Sequence, residues 1–269
     1  MIEPAPADGG WDCHVHVFDA TCPVAPGHYR PAHRPLVQIE AQATALGVKH
    51  LVLVQPSVYG TDNALLLRAL VQTPGRHRGV VVLDEDIDDD ALQAMHAAGV
   101  RGVRFNRVSP VGKTDDVGAR FKALAPRLRQ LGWHVQWYVA AEDLPLVARL
   151  HAGSGLDCVL DHLAGLTAVP AEGTAVASAL CTLAELGAWV KLSGWYRLGS
   201  SAPYAGLVPV IRLVEGLFGA RLLWGSDWPH TAFAADALPA YASLWQPVVD
   251  ALGAQAAQAL LQRAPAIYG

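Results

Sequence analysis

Residues 11–18, WDCHVHVF, form a short apolar run rich in strand-favouring side chains, and it is the first of eight such runs. The others are HLVLVQ (50–55), GVVVLD (79–84), VRGVRFN (100–106), HVQWYVA (134–140), DCVLDHL (157–163), AWVKLSG (188–194) and RLLWGSD (221–227). Between them lie stretches with helical patterning, at 38–46, 62–72, 88–98, 117–131, 143–152, 174–186, 205–218 and 251–263. Alternating strand and helix predicts a parallel sheet with right-handed crossovers, and eight alternations predict a (β/α)8 TIM barrel of the α/β class. A doubly wound open sheet is the competing architecture, but no Gly-rich phosphate fingerprint follows an early strand.

The bulk properties agree with one barrel domain over 1–269. Hydrophobic residues make up 52% and charged ones 16%, which predicts a compact interior and excludes long disordered tails. A net charge of −4 argues against nucleic acid as a partner. Of the 20 basic residues only four are lysine; arginine suits bidentate recognition of carboxylates, although a composition bias explains the excess equally well. Cys13, Cys22, Cys158 and Cys181 are scattered, as free thiols of a reducing cytosol would be. No signal-like or membrane-length apolar run appears, so a cytoplasmic protein without a membrane partner is expected. A monomer or small homo-oligomer is expected too, with Tyr241 and Trp245 suited either to an interface or to packing of the last helices. The segment PVAPGHYRPAHRP (23–35) is too polar for a strand and too proline-dense for a helix, and predicts an active-site loop at about 20–36. EDIDDD (85–90) reads as a turn and helix N-terminus.

A barrel enzyme works at the C-terminal ends of its strands. In the first, His14 and His16 are spaced i, i+2 and share a face. If that face is the interior, two imidazoles meet the substrate; otherwise they merely alternate out of the strand. The second ends QPSVYGTDN, offering Ser57 for hydrogen bonding, since no GxSxG elbow marks it as a nucleophile. Arg104 and Arg107 stand at the end of the fourth; a buried arginine needs an anionic substrate or an internal acidic partner. The fifth has Tyr138 at its exit and His134 at its entrance, facing the wrong end. In the sixth, strand alternation lets only one of Asp161 and His162 look inward. The seventh leads to Tyr196 and Arg197, and the eighth to Asp227, the strongest general-base candidate.

Histidines on strands one and six with an aspartate on strand eight resemble the amidohydrolase superfamily. DCHVHVFD (12–19) and GSDWPH (225–230) resemble its amidohydrolase-2 group, and PGHYRP, QPSVYGTDN, RGVRFN, DHLAG and KLSG resemble the 2-pyrone-4,6-dicarboxylate lactonase branch. The resemblance implies hydrolysis of a small anionic lactone, of pyrone dicarboxylate or sugar-acid type, by a water that Asp227 activates. His14, His16 and His162 would polarise the carbonyl, while Arg104, Arg197, Tyr29, Ser57 and Tyr138 would grip a carboxylate. It also implies no metal and no cofactor. Metal-dependent members take further ligands from strands four and five, where this chain has Arg104, which repels a cation, and Tyr138.

Alternatives stay open at this level. His14, His16 and Asp227 keep a weak divalent site in play, and with it a metal-dependent amidohydrolase or decarboxylase. A lactone isomerase or a non-catalytic sugar-acid binder fits the same scaffold. One departure bears on the substrate: Pro110 stands where the pyrone-dicarboxylate pattern has a second arginine, six residues after the first. Arg107 is the substitute, or else the substrate carries one carboxylate or a hydroxylated chain.

Overall fold

The computed structural model describes residues 9–24, 30–109, 116–234 and 236–269. Eight strands pair in parallel in chain order: β1 (Gly10–Val15), β2 (Val48–Val54), β3 (Arg78–Val81), β4 (Val100–Asn106), β5 (His134–Tyr138), β6 (Cys158–Leu160), β7 (Trp189–Leu192) and β8 (Leu222–Trp224). A parallel bridge between Val15 and Trp228 brings the end of β8 back to β1. His16 N donates to Trp228 O at 2.8 Å and Asp227 N to His14 O at 2.9 Å along the same seam. The expected (β/α)8 barrel is the fold.

Helices fill the crossovers: α1 (Leu36–Ala43), α2 (Ala64–Gln72), α3 (Asp89–Ala98), α4 (Val117–Leu131), α5 (Leu144–His151), α6 (Ala175–Glu185) and α7 (Val208–Phe218). The expected closing helix divides at Gly253 into α8 (Gln246–Leu252) and α9 (Ala254–Leu260), and α10 (Pro265–Tyr268) follows. Side-chain caps fix three of the starts. Asp88 accepts from Ala91 N at 2.6 Å, Asp116 from Ala119 N at 2.8 Å and Thr174 from Ala177 N at 3.2 Å. The acidic run 85–90 thus begins α3, with Asp89 and Asp90 at its positive dipole end. Among the described residues no helix is long and apolar enough to cross a membrane.

Strand alternation divides the core into two layers. Outward residues pack under the helices: Phe105 of β4 stacks on Trp137 of β5 at 4.9 Å between centroids, and Phe121 of α4 covers Trp137 at 5.9 Å. Inward residues Trp11, Cys13, Val52, Val54, Val80, Val159 and Leu223 form a separate cluster that Tyr268 of α10 closes from below. His134 meets Tyr268 edge-on at 5.0 Å, so it faces the end of the barrel remote from the strand exits, as its position predicts. Tyr241 and Trp245 pack within the chain: Tyr241 OH donates to Asp12 at 2.9 Å, and Trp245 lies edge-on to Trp224 at 5.1 Å.

Two predictions follow from this packing. The Tyr268 ring is fully buried, yet its hydroxyl has no hydrogen-bond partner among the described residues. Tyr268→Ala should cost about 3–5 kcal/mol by leaving a cavity, while Tyr268→Phe, which removes only an unsatisfied hydroxyl, should be neutral or stabilising. Equal losses in urea denaturation would contradict this placement. Burial also depresses histidines below their usual 6.5, four of them far below it: His134 to about 3, and His151, His162 and His230 to about 4. As pH falls from 6.5 toward 4 the unfolded chain binds protons that these folded imidazoles refuse, so stability is lost. Asp12 works in the opposite direction, because burial raises it to about 6, but it is one group against four. The urea midpoint should therefore be lower at pH 5 than at pH 7; a higher one would show that the histidines are not buried neutral.

Candidate active site

His14 and His16 reach the barrel interior through a break in alternation. Trp11 and Cys13 already face inward, so residues of even number on β1 should face out. A bulge resolves the conflict: Asp12 pairs with Leu51 and Val15 with Leu53, three steps on β1 against two on β2. β1 passes this close to the end of β8 at His14 because position 225 is glycine, where a Cβ would lie 2.6 Å from the His14 Cβ and 2.9 Å from its backbone N.

Strand six corrects an expectation in the same way. Both Asp161 and His162 face inward, although alternation allows only one. Asp161 keeps the inward parity of Val159, and the chain then turns left-handed, with φ of 50° at His162, 52° at Leu163 and 56° at Ala164. That conformation costs non-glycine residues roughly 1–2 kcal/mol each, and here it returns the His162 ring to 4.7 Å from that of His14. Gly194 clears the space, since a Cβ there would stand 2.3 Å from His162 Nδ1.

Asp161 is the hub of the buried layer. It accepts from His14 Nδ1 at 3.1 Å, Arg104 Nε at 3.1 Å and Gln136 Nε2 at 3.0 Å, with Lys191 Nζ 3.4 Å away. Burial pushes this carboxyl up, but His14, Lys191 and Arg104 together hold it well below the usual carboxylate range. Lys191, fully buried on β7, also donates to Gln136 Oε1 at 2.6 Å. Arg104 therefore has the internal acidic partner that its position demanded.

Asp227 forms the second carboxylate centre. Its Oδ2 accepts from Tyr196 OH at 2.6 Å and from Arg197 Nε, whereas Oδ1 has no hydrogen-bond partner among the described residues. Burial again raises this carboxyl, and Arg197 and His162, with the His16 contact, outweigh it and keep Asp227 ionised. Facing Oδ1 are His14 Nε2 at 3.7 Å and His16 Nε2 at 3.4 Å. Both imidazoles have fixed tautomers. His16 Nδ1 must donate to the Val54 carbonyl at 2.7 Å, and His14 Nδ1 to the Asp161 carboxylate, since those oxygens only accept. Burial keeps both rings below their usual pKa. In the neutral form each therefore presents an Nε2 lone pair toward Asp227, and donation from either Nε2 requires the imidazolium. His162 differs: its Nδ1 lies 2.9 Å from the Ser193 hydroxyl, which can donate as well as accept, so its unpartnered Nε2 is able to carry the proton.

The structure brings together His14, His16, His162, Asp227, Arg104, Arg197 and Tyr138. The Tyr138 ring meets His162 edge-on at 4.9 Å and lies 5.0 Å from the Arg104 guanidinium. Ser57 shares a small cavity with Arg104 and Asn106. Arg107 stands apart at the rim, paired with Asp143 at 3.0 Å. Tyr29 and Pro110 lie outside the described residues. Sequence reasoning named Asp161 but set it aside for His162, and missed Gln136, Lys191 and His230; a lysine between apolar neighbours in AWVKLSG was the one readable signal. His230, after β8, is buried with both ring nitrogens unpartnered.

The donor set also bears on a metal. His14, His16 and Asp227 each offer one ligand atom within 4.8 Å of the others, with His14 Nε2 3.7 Å and His16 Nε2 3.4 Å from Asp227 Oδ1. Ligands about 2.0–2.1 Å from a tetrahedral divalent ion stand about 3.3 Å apart, close to what these atoms show. The three residues thus fit a three-ligand site, while Arg104, Lys191 and Arg197 surround it with positive charge.

Known proteins resemble this chain over most of its length. A 4-sulfomuconolactone hydrolase of Rhizobium radiobacter is 32% identical over 237 residues, covering 84% of this chain and 77% of that protein. A 2-pyrone-4,6-dicarboxylate hydrolase of Comamonas testosteroni is 34% identical over 239 residues, 82% of this chain and 77% of its own. A crystal structure assigned to 2-pyrone-4,6-dicarboxylic acid hydrolase of Pseudomonas putida superposes with a TM-score of 0.84 at 38% identity, covering 97% of each chain. The family model described as amidohydrolase matches residues 11–268, and this chain belongs to that family.

Proposed function

We propose that the protein hydrolyses the ring ester of a small carboxylated lactone, using a water activated by Asp227 and no metal. The observation that carries this reading is the unpartnered Asp227 Oδ1, buried opposite the Nε2 atoms of His14 and His16. Three acceptors converge there, and a water donates to two of them, Asp227 Oδ1 and one imidazole Nε2, so the place suits the nucleophile. The surroundings suit an anionic substrate. Arg104, Lys191 and Arg197 stand against Asp161 and Asp227, an excess of one positive charge while the imidazoles are neutral. The lactone hydrolases among the relatives support the same reaction class.

In this mechanism the water oxygen attacks the ring carbonyl and its proton passes to Asp227 Oδ1. The developing oxyanion lies against the Nε2–H of His162, a donor set before the reaction begins. One of His14 and His16 accepts from the second O–H of the water through its Nε2 lone pair, and the two imidazoles share in polarising the carbonyl only when protonated. On collapse the ring C–O bond breaks and Asp227 returns the proton to the departing oxygen, giving an open-chain acid. The substrate carboxylate lies against Arg104, Tyr138 and Ser57. Arg197 holds Asp227 ionised and oriented, with its guanidinium beside the Tyr138 ring at 6.0 Å.

A second reading rests on the same converging lone pairs: His14, His16 and Asp227 would hold a divalent ion, which supplies Lewis acidity toward water and the carbonyl. Two tests separate these readings and check the base. Asp227→Asn should lower kcat by about 10²–10⁴ while the KM changes little; full activity would remove Asp227 from the mechanism. Dialysis against a chelator should leave lactone hydrolysis intact. Loss of activity, restored by a divalent ion, would decide for the metal.

A further inference from the structure

The mouth beside β8 has no part in the mechanism above. Arg107, the expected holder of a second carboxylate, is committed to Asp143. A cavity of about 200 Å³ opens instead between the loop after β1 and the loop after β8, lined by Phe18, Arg30, Arg34, His230, Thr231 and Phe233 among others. Its base is braced by main-chain hydrogen bonds between Phe18 and Arg34, at 2.9 and 2.8 Å. Among the described residues neither Arg30 nor Arg34 has a carboxylate within ion-pair distance of its guanidinium. His230, 1% exposed, lines this cavity with both ring nitrogens unpartnered, and a buried unsatisfied imidazole is costly unless a ligand engages it.

The cavity wall is continuous with the reaction centre. His230 N donates to the Asp227 carbonyl at 3.0 Å, and Thr231 Oγ1 accepts from Arg197 Nη2 at 3.2 Å while Arg197 Nε holds the Asp227 carboxylate. His230 therefore stands between Asp227 and this cavity.

We propose that the cavity is a second oxyanion subsite, in which Arg30 and Arg34 with a hydrogen bond from His230 hold the distal carboxylate or sulfonate of a dianionic lactone. Paired guanidinium groups match such oxyanions in charge and geometry, and Phe18 and Phe233 flank the carbon chain. The inference rests on the lactonase reading and narrows its substrate class: the arginine absent at Pro110 is replaced from the other side of the mouth.

Calorimetric binding to the full chain tests this without turnover, using glutarate, 4-sulfobutyrate and the monoanion butyrate as probes. The native protein should prefer at least one dianion to butyrate by about tenfold or more, and the better of the two names the distal group. The preference should collapse toward unity in Arg30→Gln/Arg34→Gln and return in part in Arg34→Lys. No preference in the native protein, or a preference that survives in a double variant with a native circular dichroism spectrum, overturns the proposal. If the double variant does not fold, the single variants decide, each losing part of the preference if the subsite is real and none if it is not. Dianion preference in a protein that opens no lactone would uphold the subsite and sink the hydrolase reading.

Discussion

One buried carboxylate organises this barrel. Asp161 accepts from groups on β1, β4 and β5, with the ammonium of β7 close by, so five strands meet at a single charge. A buried ion cluster of this kind is weak evidence for stability, because desolvation offsets much of the attraction. Its return is orientation. The Nδ1 proton of His14 is drawn to Asp161, which turns the Nε2 lone pair toward the reaction centre, and Arg104 is aligned by the same oxygen pair.

The two buried carboxylates therefore have opposite occupations. Both oxygens of Asp161 are engaged by fixed donors, and nothing in that arrangement leaves it able to take a proton from water. Asp227 has one oxygen held by Arg197 and Tyr196 and the other exposed only to the pocket. In the proposed reaction, environment, not residue type, divides the positioning carboxylate from the reacting one. The cations that keep both carboxyls ionised also leave the pocket attractive to an anion, so substrate charge and base ionisation come from one set of side chains.

The barrel was legible because its signal is repetition: eight apolar runs separated by eight helical stretches leave few other ways to bury the chain. His14, His16, His162 and Asp227 were legible because strand ends of a barrel are the one place where such residues converge. What alternation could not supply was the exceptions to alternation. The bulge in β1 depends on its register against β2, and the left-handed turn at His162 depends on Gly194 and the neighbouring strand. Neither is encoded in a local pattern. Arg104 was rightly seen to need an anion, but its partner lay on β6 and was set aside when His162 was chosen over Asp161. The glycines of KLSG and WGSD now have a physical reason, since each yields its side-chain volume to a histidine.

In the proposed reaction a water molecule seated by Asp227 attacks the ring carbonyl. The most direct measurement is a single turnover of a carboxylated lactone in heavy-oxygen water, followed by mass spectrometry of the product. Attack by water yields an open-chain acid carrying one solvent oxygen in its new carboxylate. An isomeric lactone of unchanged mass with no label would show intramolecular attack instead, and would contradict it.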